Sequence, residues 1–264
     1  YEFFKGQDSN GNPLWTTDIN QRGPVFTFPG GANRLDVAYN APLGRYLMTM
    51  RSRAMAGGVD HFGIYDAPEP WGPWTTVFYT GTWDVNPGES SHIPTKWISA
   101  DGKTLWLVFS GGDNFQVRKA TLTVSSATPT PTPAPIPGAP YPTSSLITGV
   151  TWDWTTAVKL APGSDNWPVT WADDDHQYAA WGDGGGFGGT GSDGRVSLGF
   201  ARIEGDWSNY QGFNVWGGKN PENPAQFEGK SYGILAVNGT LYAWWGPGSG
   251  DKFTTETRVL VSND

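Results

Sequence analysis

One short pattern recurs four times along this chain: a strand, a tight turn, an aromatic-rich return strand, then a third strand of β-branched residues. The four hairpins read NRLDVAYN-APLG-RYLMTM (33–50), SSHIPTKWISA-DG-KTLWLVFS (90–110), NWPVTWA-DDDH-QYAAWGD (166–183) and SYGILAV-NG-TLYAWWG (231–246). The third strands are HFGIYDA (61–67), NFQVRKATL (114–122), RVSLGFARI (195–203) and TRVLVSN (257–263). Asp101-Gly102 and Asn238-Gly239 are two-residue hairpin signals, because both central positions of such turns take positive φ. A recurring unit of this size buries its apolar face only by stacking on its neighbours. Long helical periodicity is absent. The pattern predicts an all-β chain, a β-propeller of four to five blades. A two-sheet sandwich is the alternative, and it accounts less directly for the recurring aromatic second strand.

The segment SSATPTPTPAPIPGAPYP (125–142) interrupts the repeats. Alternating Thr-Pro has too few N–H donors for a ladder or helix and favours an extended polyproline conformation, so it reads as a surface linker. It divides the chain into 1–124, with two to three blades, and 143–264, with two. Tyr1-Glu2-Phe3-Phe4 reads like the close of one blade, and Asp264 follows a third strand where a blade would continue. Two expectations follow: strands from the two ends pair to close a ring, or one blade is absent and a second copy of the chain fills its place.

Composition narrows the function. The chain has 264 residues, enough for one large all-β domain or two small ones. It contains no Cys, which excludes thiol catalysis, disulfides and Cys-based zinc sites. A formal net charge of −8 makes nucleic acid an unsuitable partner. No apolar run reaches the roughly 20 residues of a membrane helix, and no segment of this sequence reads as a signal peptide. Fifteen Trp residues with 37 Gly fit β-structure rather than helix. The Thr-Pro segment, of a kind found between modules of secreted enzymes, together with the missing Cys, suggests a secreted protein.

Among groups that could do chemistry, Asp165 and Asp183 stand out. Each lies nine residues from Asp174, the centre of the third hairpin, so folding the hairpin brings them side by side at its open end. Two carboxylates at a propeller mouth are what glycoside hydrolysis needs, one as acid and one as base or nucleophile. The alternative is local, with Asp165 capping a turn and Asp183 lying in a Gly-rich loop. Folding the other hairpins the same way sets Arg34 near Arg51 with Asp36 closer to the turn, and His92 at an open end followed by Lys96. It also sets Lys230 and Tyr232 opposite Trp244 and Trp245. Arg34, His92, Lys230 and Tyr232 are thus candidate sugar-binding groups, with Trp244 or Trp245 as a stacking face.

Asp173-Asp174-Asp175-His176 is a candidate for Ca²⁺, although its place at a hairpin tip suits a solvated turn. GDGGGFGGTGSDGR (182–195) contains a single GGTGSD resembling a calcium-binding repeat; one copy cannot stack into a β-roll, so it reads as a flexible loop. With three His and no Walker-type or G-x-S-x-G element, no cofactor is expected beyond that calcium candidate.

The run SDNWPVTWADDDHQYAAWGDGGGFGG followed by RVSLGFARI resembles the opening blade of bacterial five-bladed propeller proteins, a former domain-of-unknown-function family that includes endo-D-arabinanases. The family's Asp, Trp-Asp turn and Gly-Asp correspond here to Asp165, Trp171 with Asp173, and Gly182 with Asp183. KSYGILAVNGTLYAWWG, GIYDAPEPWGPWTTVFY and HIPTKWISADGKTLWLVFSG resemble later blades. The resemblance implies glycosidase chemistry on a polysaccharide such as an arabinan, with Asp165 and Asp183 as the catalytic pair; Asp36 and Glu89 are the candidates for a third residue. The family's opening lies mid-chain here and its usual end comes first, so the order looks permuted and about one blade looks absent. A non-catalytic carbohydrate-binding or self-assembling propeller, or an engineered scaffold, is the competing expectation.

Overall fold

The computed structural model describes residues 1–52, 61–83, 88–126, 133–224, 228–246 and 257–263. β1 (Phe3–Gln7) and β2 (Pro13–Thr16) form a hairpin. β3 (Leu35–Asn40), β4 (Arg45–Ser52), β5 (His61–Ala67) and β6 (Thr75–Thr80) form a sheet in chain order. So do β7 (Gly88–His92), β8 (Thr104–Gly111), β9 (Phe115–Val124) and β10 (Ile147–Leu160). The next sheet holds β11 (Asp165–Trp171), β12 (Gln177–Gly182), β13 (Leu198–Glu204) and β14 (Gln211–Trp216). The last holds β15 (Lys230–Val237), β16 (Thr240–Gly246) and β17 (Arg258–Asn263). Among the described residues the chain is all-β, and its four antiparallel meanders are the blades of a β-propeller.

Each expected hairpin and third strand is present, and two details differ. In the second hairpin the first strand ends at His92 instead of running to the Asp101-Gly102 turn. Pro94 has no N–H to continue the ladder, and the chain instead makes a 3₁₀ turn over Thr95–Trp97. There Gly102 alone takes positive φ, whereas Asn238 and Gly239 both do, as their turn requires. The fourth strands β6, β10 and β14 carry no tight-turn signal, so the hairpin pattern did not announce them.

The structure divides into two compact units. The first comprises Tyr1–Trp83, Ala100–Lys103 and Leu122–Thr151. Its core is Met48, Met50, Tyr65, Ala67 and Trp74, packed against Phe26, Phe28, Tyr46 and Tyr141. The end of the Pro-rich segment is docked here: the Tyr141 hydroxyl accepts from Thr27 N–H (2.7 Å), and Pro142 C=O accepts from Thr76 N–H (2.7 Å). Residues 127–132 of that segment lie outside the described residues.

The second unit comprises Asp84–Ser99, Thr104–Thr121 and Trp152–Asp264. Within it β11 packs against β7 on one side and β15 on the other, so three blades meet through their first strands. Between two of them lies an aromatic core that includes Trp97, Trp106, Phe115, Trp167 and Trp181. Trp167 and Trp181 stack at 5.6 Å with 25° between their planes. Each indole N–H is used, Trp167 donating to Ser164 C=O (3.0 Å) and Trp181 to Gly184 C=O (3.2 Å). Burying these donors without partners would cost free energy, so the bonds fix both rings in place.

Replacing the fully buried Trp181 by Ala should lower unfolding free energy by about 3–5 kcal/mol in urea denaturation. A loss below about 1 kcal/mol would contradict this reading of the core.

Candidate active site

The site is built on the hairpin β11–β12. From Trp171 opposite Gln177 to Val169 opposite Ala179 the strands pair in simple register. The register then shifts, and Asn166 faces Trp181. Trp167 and Pro168 are accommodated as a bulge, with Asn166 at φ 72° and Trp167 at φ 61°. Pro168 suits this place because it has no N–H to leave unpaired. The bulge corrects the expectation that Asp165 pairs with Asp183, because it moves the partner of Asp165 by one residue to Gly182.

That partner has no side chain, and the consequence is geometric. A Cβ on Gly182 would lie 2.5 Å from Asp165 Oδ1, 2.7 Å from Asn166 Nδ2 and 3.4 Å from Lys230 Cδ. The Asp165 carboxylate therefore occupies the space above Gly182, held by Asn166 Nδ2 donating to Oδ1 (3.1 Å). Asp183 follows at φ 50°, where the chain leaves the strand. Its Oδ1 pairs with Lys230 Nζ (2.6 Å) and Arg195 Nη2 (3.2 Å). Lys230 opens β15 of the neighbouring blade, and its side chain passes Gly182 on the way to Asp183. Asp165 and the Lys230 stem thus both lie beside Gly182, and the lysine head pairs with Asp183, which is about one-third exposed.

The loop after Asp183 corrects a second expectation. Instead of a flexible connection, it is hydrogen-bonded along its length. Asn214 on β14 accepts from Phe187 N–H (2.8 Å) and donates to Gly185 C=O and Phe187 C=O (3.0 Å each). Ser164 Oγ accepts from Gly186 N–H (3.0 Å), and Val196 N–H donates to Gly184 C=O (3.0 Å). Gly184 and Gly186 take positive φ and lie so close to Gly163 and Trp181 that a side chain would not fit. Asn166 and Arg195 are the site residues that sequence reasoning missed, together with the role of Gly182 as the space for the Asp165 carboxylate. Gly182 alone carried a signal, as the first residue of Gly-Asp-Gly.

The other candidates are distributed as follows. His92 ends β7, a strand that packs on β11, and is 7% exposed. Tyr232 sits at a bulge in β15 and is 57% exposed. Trp244 pairs with Gly233 and Trp245 with Ser231, so they point to opposite faces of their sheet and cannot serve one stacking site. Since Lys230 pairs with Gly246, two residues from Trp244, it is Trp244 that shares its face. Trp245 lies under the Arg258 guanidinium, 5.6 Å from the ring centre. Arg34, exposed, and Asp36 on β3 belong to the first unit; Arg34 C=O accepts from Arg51 N–H (3.3 Å), as the folded hairpin predicted. Glu89 pairs with Ser110, and its side chain lies outside the described residues.

The Asp173–His176 turn is engaged with its own surroundings. Asp174 accepts from Tyr178 Oη (2.7 Å) and His176 N–H (3.0 Å); Asp175 pairs with Lys96 Nζ (2.9 Å) and accepts from Trp171 Nε1 (3.1 Å). Among the described residues no group of three His, Asp or Glu is arranged to hold a metal ion. A groove of about 390 Å³ in the first unit is lined by Thr123, Ser125, Ser145 and Thr148 among others and carries no ionisable side chain.

No protein-family model matches the chain, and no curated protein matches it. Among solved structures, a GH43_1 enzyme from Xanthomonas citri is similar at 13% identity, with 92% of this chain and 73% of that one covered and a TM-score of 0.51. An exo-β-1,3-galactanase from Phanerochaete chrysosporium matches at 13% identity over 89% of this chain and 47% of its own, TM-score 0.44. An endo-arabinase from Bacteroides thetaiotaomicron matches at 14% identity over 90% and 78%, TM-score 0.38. The chain thus spans about half the length of the galactanase it matches. The likeness to the Xanthomonas enzyme agrees with the propeller fold read from the four sheets.

Two predictions follow from this geometry. Gly182→Ala must displace the Asp165 carboxylate or the Asn166 amide, and should cost about 1–3 kcal/mol in unfolding free energy. Unchanged stability would contradict the close approach. The Asp175 carboxyl is held below its ordinary value, first by the Lys96 bond and then by the Trp171 indole. A lowered carboxyl contributes stability above its unfolded value and loses it as pH falls through the folded one. Between about pH 5 and about pH 3 the wild type should therefore lose more urea stability than Asp175→Asn; parallel losses would contradict this.

Proposed function

We propose that this chain is a secreted carbohydrate-active propeller, and that its second unit carries a glycoside hydrolase site with Asp165 and Asp183 as the paired carboxylates. The observation that carries the proposal is that both residues lie at one end of the β11–β12 hairpin, the Asp165 carboxylate over Gly182 and Asp183 at the next position, paired with Lys230. Glycosidic cleavage needs one carboxyl group to protonate the leaving oxygen and a second to activate water or attack the anomeric carbon. Lys230 and Arg195 both reach Oδ1 of Asp183, leaving Oδ2 as the oxygen for the reacting group. Asn166 orients Asp165, Trp244 offers an aromatic face, and Tyr232 offers an exposed hydroxyl, while His92 supports the mouth from the adjacent strand. Arg34 lies in the other unit, and the proposal is confined to the second. The sequence resemblance makes an arabinan the first polysaccharide to test.

One observation favours a second reading, a binding propeller without turnover: two cations already bind the Asp183 carboxylate. Sugar release from arabinan, galactan and xylan by wild type, Asp165→Asn and Asp183→Asn separates the two. The hydrolase reading expects each substitution to lower release by about a hundredfold or more on the polysaccharide that wild type cleaves. Equal release by all three would remove the assignment. Retention of a glycan with no release by wild type would establish the binding reading.

A further inference from the structure

At the far end of β11, six residue steps or about 20 Å along the strand from Asp165, lies a second group of side chains with recognition chemistry. Trp207, in the turn between β13 and β14, is 49% exposed. One face of its indole stacks on the buried Trp106 at 4.7 Å and 14°, which leaves the other face to solvent. Trp171 is 47% exposed and is fixed by its Nε1–H bond to Asp175. Asp175 in turn pairs with Lys96, which also lies within electrostatic reach of Asp206, the residue before Trp207. Two rigid, exposed indoles are thus linked through a short chain of charged groups, all within the second unit.

Both rings lie outside the buried cluster, Trp207 against its Trp106. An exposed indole held by stacking, as Trp207 is, or by its ring N–H, as Trp171 is, carries its apolar area into solvent with less disorder than exposed side chains usually retain. Its negative π-face suits the weakly positive C–H face of a sugar ring, and the neighbouring Asp175 and Asp206 carboxylates can accept from hydroxyls. We infer that Trp171 and Trp207 form an ancillary carbohydrate-binding platform, separate from the carboxylate site, which takes polysaccharide chains rather than short oligosaccharides. This inference rests on the carbohydrate-active reading above and extends it to a second site.

The test is native gel retardation of the full chain in arabinan, galactan and xylan, with hydrolysis of a trisaccharide measured in parallel. Trp207→Ala should weaken retention by roughly three- to tenfold, Trp207→Phe should weaken it less, and trisaccharide turnover should stay at the wild-type level. Retention that weakens only in Asp165→Asn and not in Trp207→Ala would overturn the platform while leaving the hydrolase site intact. Turnover by wild type without retention in any gel would also overturn it. A protein with neither turnover nor retention would overturn both readings, whereas retention lost in Trp207→Ala without any turnover would uphold the platform and reject the hydrolase.

Discussion

The Asp165 carboxylate lies over the end of the neighbouring strand in space that a Cβ there would fill. Gly182 supplies that place, and the bulge at Trp167 and Pro168 supplies the register that brings Asp165 to it. Without the bulge, Asp165 would face Asp183 directly, and two like charges would meet across one strand pair, an arrangement that disfavours ionisation of both. With it, the two carboxylates are offset by one residue, and a lysine from the next blade passes Gly182 and pairs with Asp183. The chemistry proposed for this chain depends on that offset.

The packing around the hairpin explains why the offset persists. Asn166 and Trp167 hold positive φ, which side chains other than glycine adopt at a cost of order 1–3 kcal/mol each. Burial of the Trp167 ring against Trp181 and Phe115 offsets that cost. The Gly-rich loop then closes over the same rings, tied by Asn214 and Ser164, so the residues that position Asp183 are rigid on both sides. Strain beside a pair of acids, held by an aromatic core, is the arrangement expected where geometry matters more than local stability.

Much of this was legible in the sequence. The hairpin at 231–246 and the strand HFGIYDA appear in the structure within a residue of their reading, because period-two alternation and the Asn238-Gly239 turn are local signals. The acids were found by counting from the turn, which reaches the correct end of the hairpin. Counting missed the bulge, because Pro168 within the strand pattern fits an edge strand as well as a bulge, and only the packing of Trp167 on Trp181 decides between them. Arg195 was read as strand and instead precedes β13, where the loop carries it to Asp183. A long-range ion pair leaves no trace in one sequence. The Gly-rich loop was misjudged for a related reason: glycine count suggests freedom, but these glycines permit close backbone approach, and Asn214, nineteen positions beyond Arg195, supplies the bonds that hold it.

The most direct measurement is a crystal structure of Asp165→Asn soaked with an arabino-oligosaccharide. The account predicts an ordered sugar at the open end of β11–β12, with its glycosidic bond lying between position 165 and Oδ2 of Asp183. A sugar ordered elsewhere in the second unit, with Lys230 and Arg195 enclosing Asp183 on every side, would contradict it and reduce the acid pair to a structural clasp between blades.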